Sequence, residues 1–349
     1  MAFWQNTGWD SLGRWWRTRA LAPPVDRCLN LALQGGGAHG AFTWGVLDAL
    51  LDEPSIDFNA LSGSSAGAVN AVILAQGWIK DGRAGARQAL NHFWSDVGQQ
   101  LPWPLAAQIQ GESLSLHAAT KRFSQWMGLF SPAQLNPLGL SPLRDLLDRH
   151  IDFDSVRRFS PFSLYVGATH VNTGKLRLFR EHELQLDMLL ASACLPRIHH
   201  TINVDGEPYW DGGYSANPAL FPLMQERQSH DILLVLLSPT LRDEVGQSME
   251  SVAARIQELG FTTHFLREMQ MLAHSASGLN SAAKPLARFH LIDSGCLEVM
   301  QRNETKMLAY APFLEMLRDA GRERAKQWLA KNGNAIGREN TLDWSQWAA

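Results

Sequence analysis

Three cysteines are all that this 349-residue sequence holds, and Cys28, Cys194 and Cys296 lie far apart. An odd, scattered set reads as free thiols in a reducing compartment, not as a disulfide framework or a zinc site. Charge is scarce as well. Its 31 basic and 34 acidic side chains leave a formal −3, and only 19% of residues are charged. There is no basic excess to suggest nucleic acid as a partner. His-rich and Cys-rich tracts are missing, so no metal site is expected. The opening twenty residues, MAFWQNTGWDSLGRWWRTRA, lack the continuous apolar core of a secretory signal. One charge-free stretch does occur, FNALSGSSAGAVNAVILAQGWI at 58–79. The Gly, Ser and Asn of its first half suit a tight turn, so it reads as strand, turn and helix and not as a membrane span. These absences predict a soluble, cytoplasmic protein that at most touches a membrane surface peripherally.

What is present is apolar: 45% of residues are hydrophobic, enough for a sizeable core. Residues 1–27 form a Trp/Arg-rich leader. Trp9, Leu12, Trp15 and Trp16 share one side of a helical projection, and Arg14 and Arg17 point away. That suits a helix lying in a head-group layer, or an arm packed on the domain. CLNLAL and IDFNALSG read as buried strands, each followed by a helix, AFTWGVLDALLDE and AGAVNAVILAQGW, with a further helix over 83–97. Residues 98–143 turn Pro- and Trp-containing, as in a cap, an insertion or an irregular packing layer. LRDLLDRHI then reads as helix, FSLYVGATHV and KLRLFR as strands, and LQLDMLLASACL as a helix stopped by Pro196. YWDGGYSANPAL reads as loop, and DILLVLLS as a strand in mid-sheet. Helices across 246–275, a strand at ARFHLID and a helix from about 304 to 331 complete the chain. Strands alternating with helices predict an α/β fold, a three-layer α/β/α arrangement with a mostly parallel central sheet. The expected main domain spans 28–240, with 241–349 a mostly helical part packed on it.

Three motifs carry chemistry. Gly35, Gly36 and Gly37 close the first strand, and Gly35, Gly37 and Gly40 satisfy G-x-G-x-x-G before a helix. Such a turn presents backbone amides to something negative, or simply lets strand and helix pack closely. A dinucleotide reading wants an acidic residue ending the second strand, but Asp57 opens it, and no Lys-Ser or Lys-Thr follows for a P-loop. The second motif is GSSAG, with Ser65 between Gly63 and Gly67. Placed between strand and helix, it is a nucleophile-elbow pattern. The third is Asp211-Gly212-Gly213.

In this order, glycine turn, serine elbow and Asp-Gly-Gly resemble the motifs of the patatin-like phospholipases, a family of lipid acyl hydrolases. The likeness runs from about 29 to 225 and includes ASACLPRI, where a small-residue helix end is followed by Pro196. It implies a catalytic dyad of Ser65 as nucleophile and Asp211 as base, with no histidine. It also implies an oxyanion hole from the amides of Gly35, Gly36 and Gly37, an acyl-serine intermediate, no cofactor or metal, and a lipid or acyl-ester substrate. The family pattern often has Arg or Lys two residues after the glycines. This chain has His39 there, a weaker anchor for phosphate that would line the site. Two other readings stay open: a Ser–His–Asp hydrolase using His264, His274 or His290, and a nucleotide-binding module built on Gly35–Gly40.

Overall fold

Residues 27–99, 107–110, 113–116, 141–226, 228–239, 246–278, 287–295 and 297–347 are described by the structure, a computed structural model. The leader lies outside them except for Arg27, so its expected helix is not described. The apolar run RCLNLAL forms β1 (Arg27–Leu33), wholly buried from Leu29 onward, as a strand with both faces covered must be. It pairs in parallel with β2 (Ile56–Ser64). Within 98–143 a separate hairpin is described, β3 (Ala107–Gln110) with β4 (Ser113–Leu116). Strand β5 (Ser163–His170) joins β2 in parallel, and β6 (Leu176–Arg180) runs antiparallel to β5. A second hairpin follows, β7 (Ile202–Val204) and β8 (Glu207–Asp211). On the other side of β1 come β9 (Asp231–Leu236) and then β10 (Arg288–Asp293), both parallel.

The register along β5 positions the site. Residues 165–167 pair with both β2 and β6, so those two strands occupy opposite edges of β5. Ala168 and Thr169 pair with both β6 and β8, so β8 shares the edge of β2. The ends of β2 and β8 therefore meet nose to nose: Ser64 lies opposite Gly167, and Asp211 opposite Ala168. Two residues 147 apart in sequence are thereby placed opposite consecutive positions of one strand.

Helices α1 (Gly40–Leu51), α2 (Ala66–Gln99), α3 (Pro142–His150), α4 (Phe153–Phe159), α5 (Leu186–Ser192), α6 (Phe221–Met224), α7 (Met249–Gly278) and α8 (Ala311–Asn332) complete the chain. Alternation along β9 sends Leu233 and Val235 to a core shared with α1, α2, α5 and α8. It sends Ile232, Leu234 and Leu236 to a second core with α6, α7 and Trp347. This is the expected three-layer α/β/α arrangement with a mostly parallel sheet. Stretch 58–79 divides into β2, a turn and the start of α2. No helix among the described residues is long and apolar enough to cross a membrane.

The two helices expected over 66–97 are both present within α2, separated by a break at Asp81 and Gly82, whose φ and ψ are non-helical. Three boundaries differ from expectation. The helix before Pro196 ends at Ser192, because Ala193 has already left helical geometry (φ −109°, ψ 12°). The stretch YWDGG is not all loop, since Tyr209–Asp211 complete β8. Helix α8 starts at Ala311, not near 304. Pro312 fits the first turn, where its missing N–H costs nothing, and residues 303–307 form a separate 3-10 turn.

Candidate active site

Ser65 stands at the junction of β2 and α2 with φ 54°, a left-handed conformation that a non-glycine residue adopts only where its surroundings enforce it. Gly67 enforces it from one side, packed so closely on Leu33 O that a Cβ there would collide. From the other side the Ser65 N–H is held by both Ser192 O (3.1 Å) and Ser192 Oγ (3.0 Å). The neighbouring hydroxyls are used elsewhere: Ser62 donates to Ala219 O and Ser64 to Ala216 O, both at 2.7 Å. Ser65 is half-buried, and its hydroxyl faces the carboxylate of Asp211.

Asp211, at the end of β8, is fully buried. Its N–H donates to Cys194 O (2.8 Å) and its carbonyl accepts from Thr169 Oγ1 (2.8 Å), so the backbone is fixed on both sides. Oδ1 accepts the Gly213 N–H at 2.8 Å. Oδ2 has no partner in hydrogen-bond geometry, yet the Ser65 hydroxyl is near enough to pull the carboxyl pKa down. Burial outweighs that pull and the Gly213 bond, and raises the pKa from 3.8 to about 7. Gly212 and Gly213 make the turn narrow enough: a Cβ on the first would strike Gly167 O, and one on the second the Phe261 ring.

The glycine turn lies beside the elbow. A Cβ on Gly35 would meet Ser64 O at 2.5 Å and Ser65 Cβ at 2.9 Å. Gly35 N–H donates to Asn217 Oδ1 at 2.7 Å, so this amide is already occupied. The N–H groups of Gly36 and Gly37 find no acceptor among the described residues. Gly37 has φ +59° and sits under Lys306 O. Gly40 opens α1, against Ala66 at the start of α2, so the N-termini of two helices converge on Ser65 and favour negative charge there.

His39 does not line the cleft. It is fully buried, its Nε2 bonded to Thr305 Oγ1 at 2.8 Å and its ring edge-on to Phe313. Burial, and secondarily Lys306, lower its pKa to about 3, so it is neutral. The histidines of the alternative triad reading, and His170, are placed elsewhere. His290 lies between Asp231 (3.0 Å) and Thr341 (2.9 Å), His170 bonds Glu207 (2.9 Å), and His264 and His274 are exposed on α7.

The chain matches the patatin-like phospholipase family over residues 31–224, which is more than half its length. It belongs to that family. Hydrolysis of lipids is thus its class of chemistry, and the patatin match takes in Ser65, Asp211 and the glycine turn. Solved structures similar to it include VipD from Legionella pneumophila, at 14% identity and a TM-score of 0.43, covering 89% of this chain and 67% of that one. Another is the heterodimeric ExoU–SpcU complex of the type III secretion system of Pseudomonas aeruginosa, at 15% identity and a TM-score of 0.32, covering 88% and 52%. The patatin chain thus spans about two thirds of the one and half of the other. No curated protein matches it.

Three residues around the candidate site are given no role by the sequence. Ser192 fixes the elbow and Asn217 fixes Gly35, while Lys306 roofs the turn and bonds Ser238 Oγ at 3.4 Å. The only sequence signal for the first two is their position, just before Pro196 and just after the Asp-Gly-Gly turn.

Proposed function

We propose that this chain hydrolyses acyl esters of glycerolipids through an acyl-Ser65 intermediate, with Asp211 as the base. The observation that carries the reading is a fully buried carboxylate with an unsatisfied oxygen, facing the hydroxyl of a serine held at φ 54°. Ser65 Oγ attacks the ester carbonyl as its proton passes to Asp211. The carbonyl π pair becomes an oxyanion beside the N–H groups of Gly36 and Gly37. Gly35, whose amide is held by Asn217 Oδ1, shapes the hole instead of donating to it. Collapse breaks the ester C–O bond, and the leaving alcohol takes the proton from Asp211. A water then repeats the sequence on the acyl-serine and frees the fatty acid. Preorganised donors of this kind contribute roughly 3–4 kcal/mol each to lowering the barrier.

Serine labelling tests the reading. A fluorophosphonate should modify Ser65, and Ser65→Ala should cost at least ~10³-fold in rate, since only the hole and substrate binding remain. An adduct on Ser62 or Ser64, or full activity in the variant, would refute it. A nucleotide-binding module would not react with the reagent at all.

A further inference from the structure

Helix α7 changes character along its length. From Phe261 onward its inward side chains Thr262, Phe265, Met269 and Ala273 are buried at three- and four-residue spacing, as on a helix packed against a sheet. Glu268 ties this half down by accepting the N–H groups of Leu220 (3.2 Å) and Phe221 (2.8 Å). Upstream the pattern stops. Among the described side chains of 249–260 only Glu258 is buried, paired with Arg255 at 3.1 Å. Among the described residues, about three turns of helix therefore extend past the apolar core as an overhang, with Glu258 turned inward beneath them.

The overhang begins at the site. Phe261 covers Gly213, two residues from Asp211, and packs on Tyr214 with ring centroids 4.5 Å apart. Its outward face is apolar: Met249, Ile256 and Leu259 are 83%, 65% and 40% exposed. With Val252, Ala253, Gly260 and Thr263 they fill an arc of about 120° at 100° per residue, and no charged residue of 249–263 falls within it.

We infer that residues 249–260 of α7 dock the protein on a lipid surface, inserting Met249, Ile256 and Leu259 and so holding the adjoining Asp211 turn close to the assembly that contains the substrate. The inference rests on the lipid-hydrolase reading for its occupant. Attraction to anionic head groups has little to act on, because the overhang's Arg255 is paired with Glu258. Docking should therefore work on uncharged lipid and resist salt, unlike docking through an arginine-bearing leader.

The test uses the full chain and phosphatidylcholine vesicles at high salt. The double variant Ile256→Gln, Leu259→Gln changes only exposed side chains and should melt where the parent does. Vesicle partitioning should fall on the order of tenfold or more, and hydrolysis of vesicular lipid with it. Turnover of a dissolved short-chain ester should be unchanged. Ala253→Trp should strengthen partitioning. Partitioning equal to the parent's in the double variant overturns the inference, as does a parent dimer that the double variant splits. If the parent binds vesicles through this face but hydrolyses no ester, the hydrolase reading fails and the docking surface stands.

Discussion

The Asp211 carboxylate is fully buried and accepts one hydrogen bond in good geometry, so its charged form is costly. That cost has two measurable consequences. As base, Asp211 must be ionised, so kcat/KM on a soluble ester should rise with pH through about 7 and level off above it. A flat profile there would remove Asp211 from the role. For stability the sign is opposite: a carboxyl whose pKa is raised on folding stabilises the native state fully below about pH 4 and loses that contribution as pH climbs through about 7. Asp211→Asn keeps the neutral form at every pH. It should abolish turnover yet raise Tm at pH 8, through a stabilisation of up to roughly 4 kcal/mol at the ~1.4 kcal/mol per unit that links pKa to stability. Little change in Tm is expected at pH 4, and a lower Tm at pH 8 would contradict the burial argument.

At the scale of elements, the glycine turn is held from outside by a segment 182 residues away in sequence. Asn217 binds Gly35 N–H through Oδ1, while Gln34 Oε1 accepts from Leu237 N (2.6 Å) and Ser238 N (2.9 Å). The turn is thus suspended between the end of β9 and the chain after Asp211. Asn217→Ala leaves Gly35 N–H without its partner, which costs about 1–3 kcal/mol of stability. It also releases the neighbouring amides from their aim. On a soluble ester kcat should drop about tenfold or more with KM little changed, because the oxyanion exists only in the transition state. An unchanged kcat would mean the turn holds its shape without Asn217. Sequence reading brings Ser65, Asp211 and the three glycines forward as candidates because each sits within a short local pattern. It does not reach Asn217, Ser192 or Lys306, whose parts depend on which distant backbone atom stands beside them. The misread at YWDGG has a similar cause. EPYWD is a short strand with glycines at its end, and it becomes one by pairing with β5 and β7, not by its own alternation.

Across the whole molecule, the family match ends at residue 224, but the structure around the site does not. Strand β9 flanks β1 on the side away from β2, and β10 covers β9. Asp231, which opens β9, binds Arg288 (2.6 and 2.9 Å), His290 (3.0 Å) and Gly337 N–H (3.0 Å), joining the sheet to the chain's last third. Thr305 receives His39, and Phe313, Leu314 and Leu317 of α8 are buried against α1. Burial of each large apolar side chain contributes roughly 1.5–3 kcal/mol, so these and Trp328 together match much of the 5–15 kcal/mol by which a domain is typically stable. We therefore propose that 28–240 and 241–349 are one folding unit and that the division read from the sequence has no physical seam. A chain ending at residue 240 should be protease-sensitive and should lack a cooperative thermal transition. The full chain should melt in one step, with fluorophosphonate reactivity lost at the same temperature. A truncated chain that melts cooperatively and still labels at Ser65 would show that the first 240 residues stand alone.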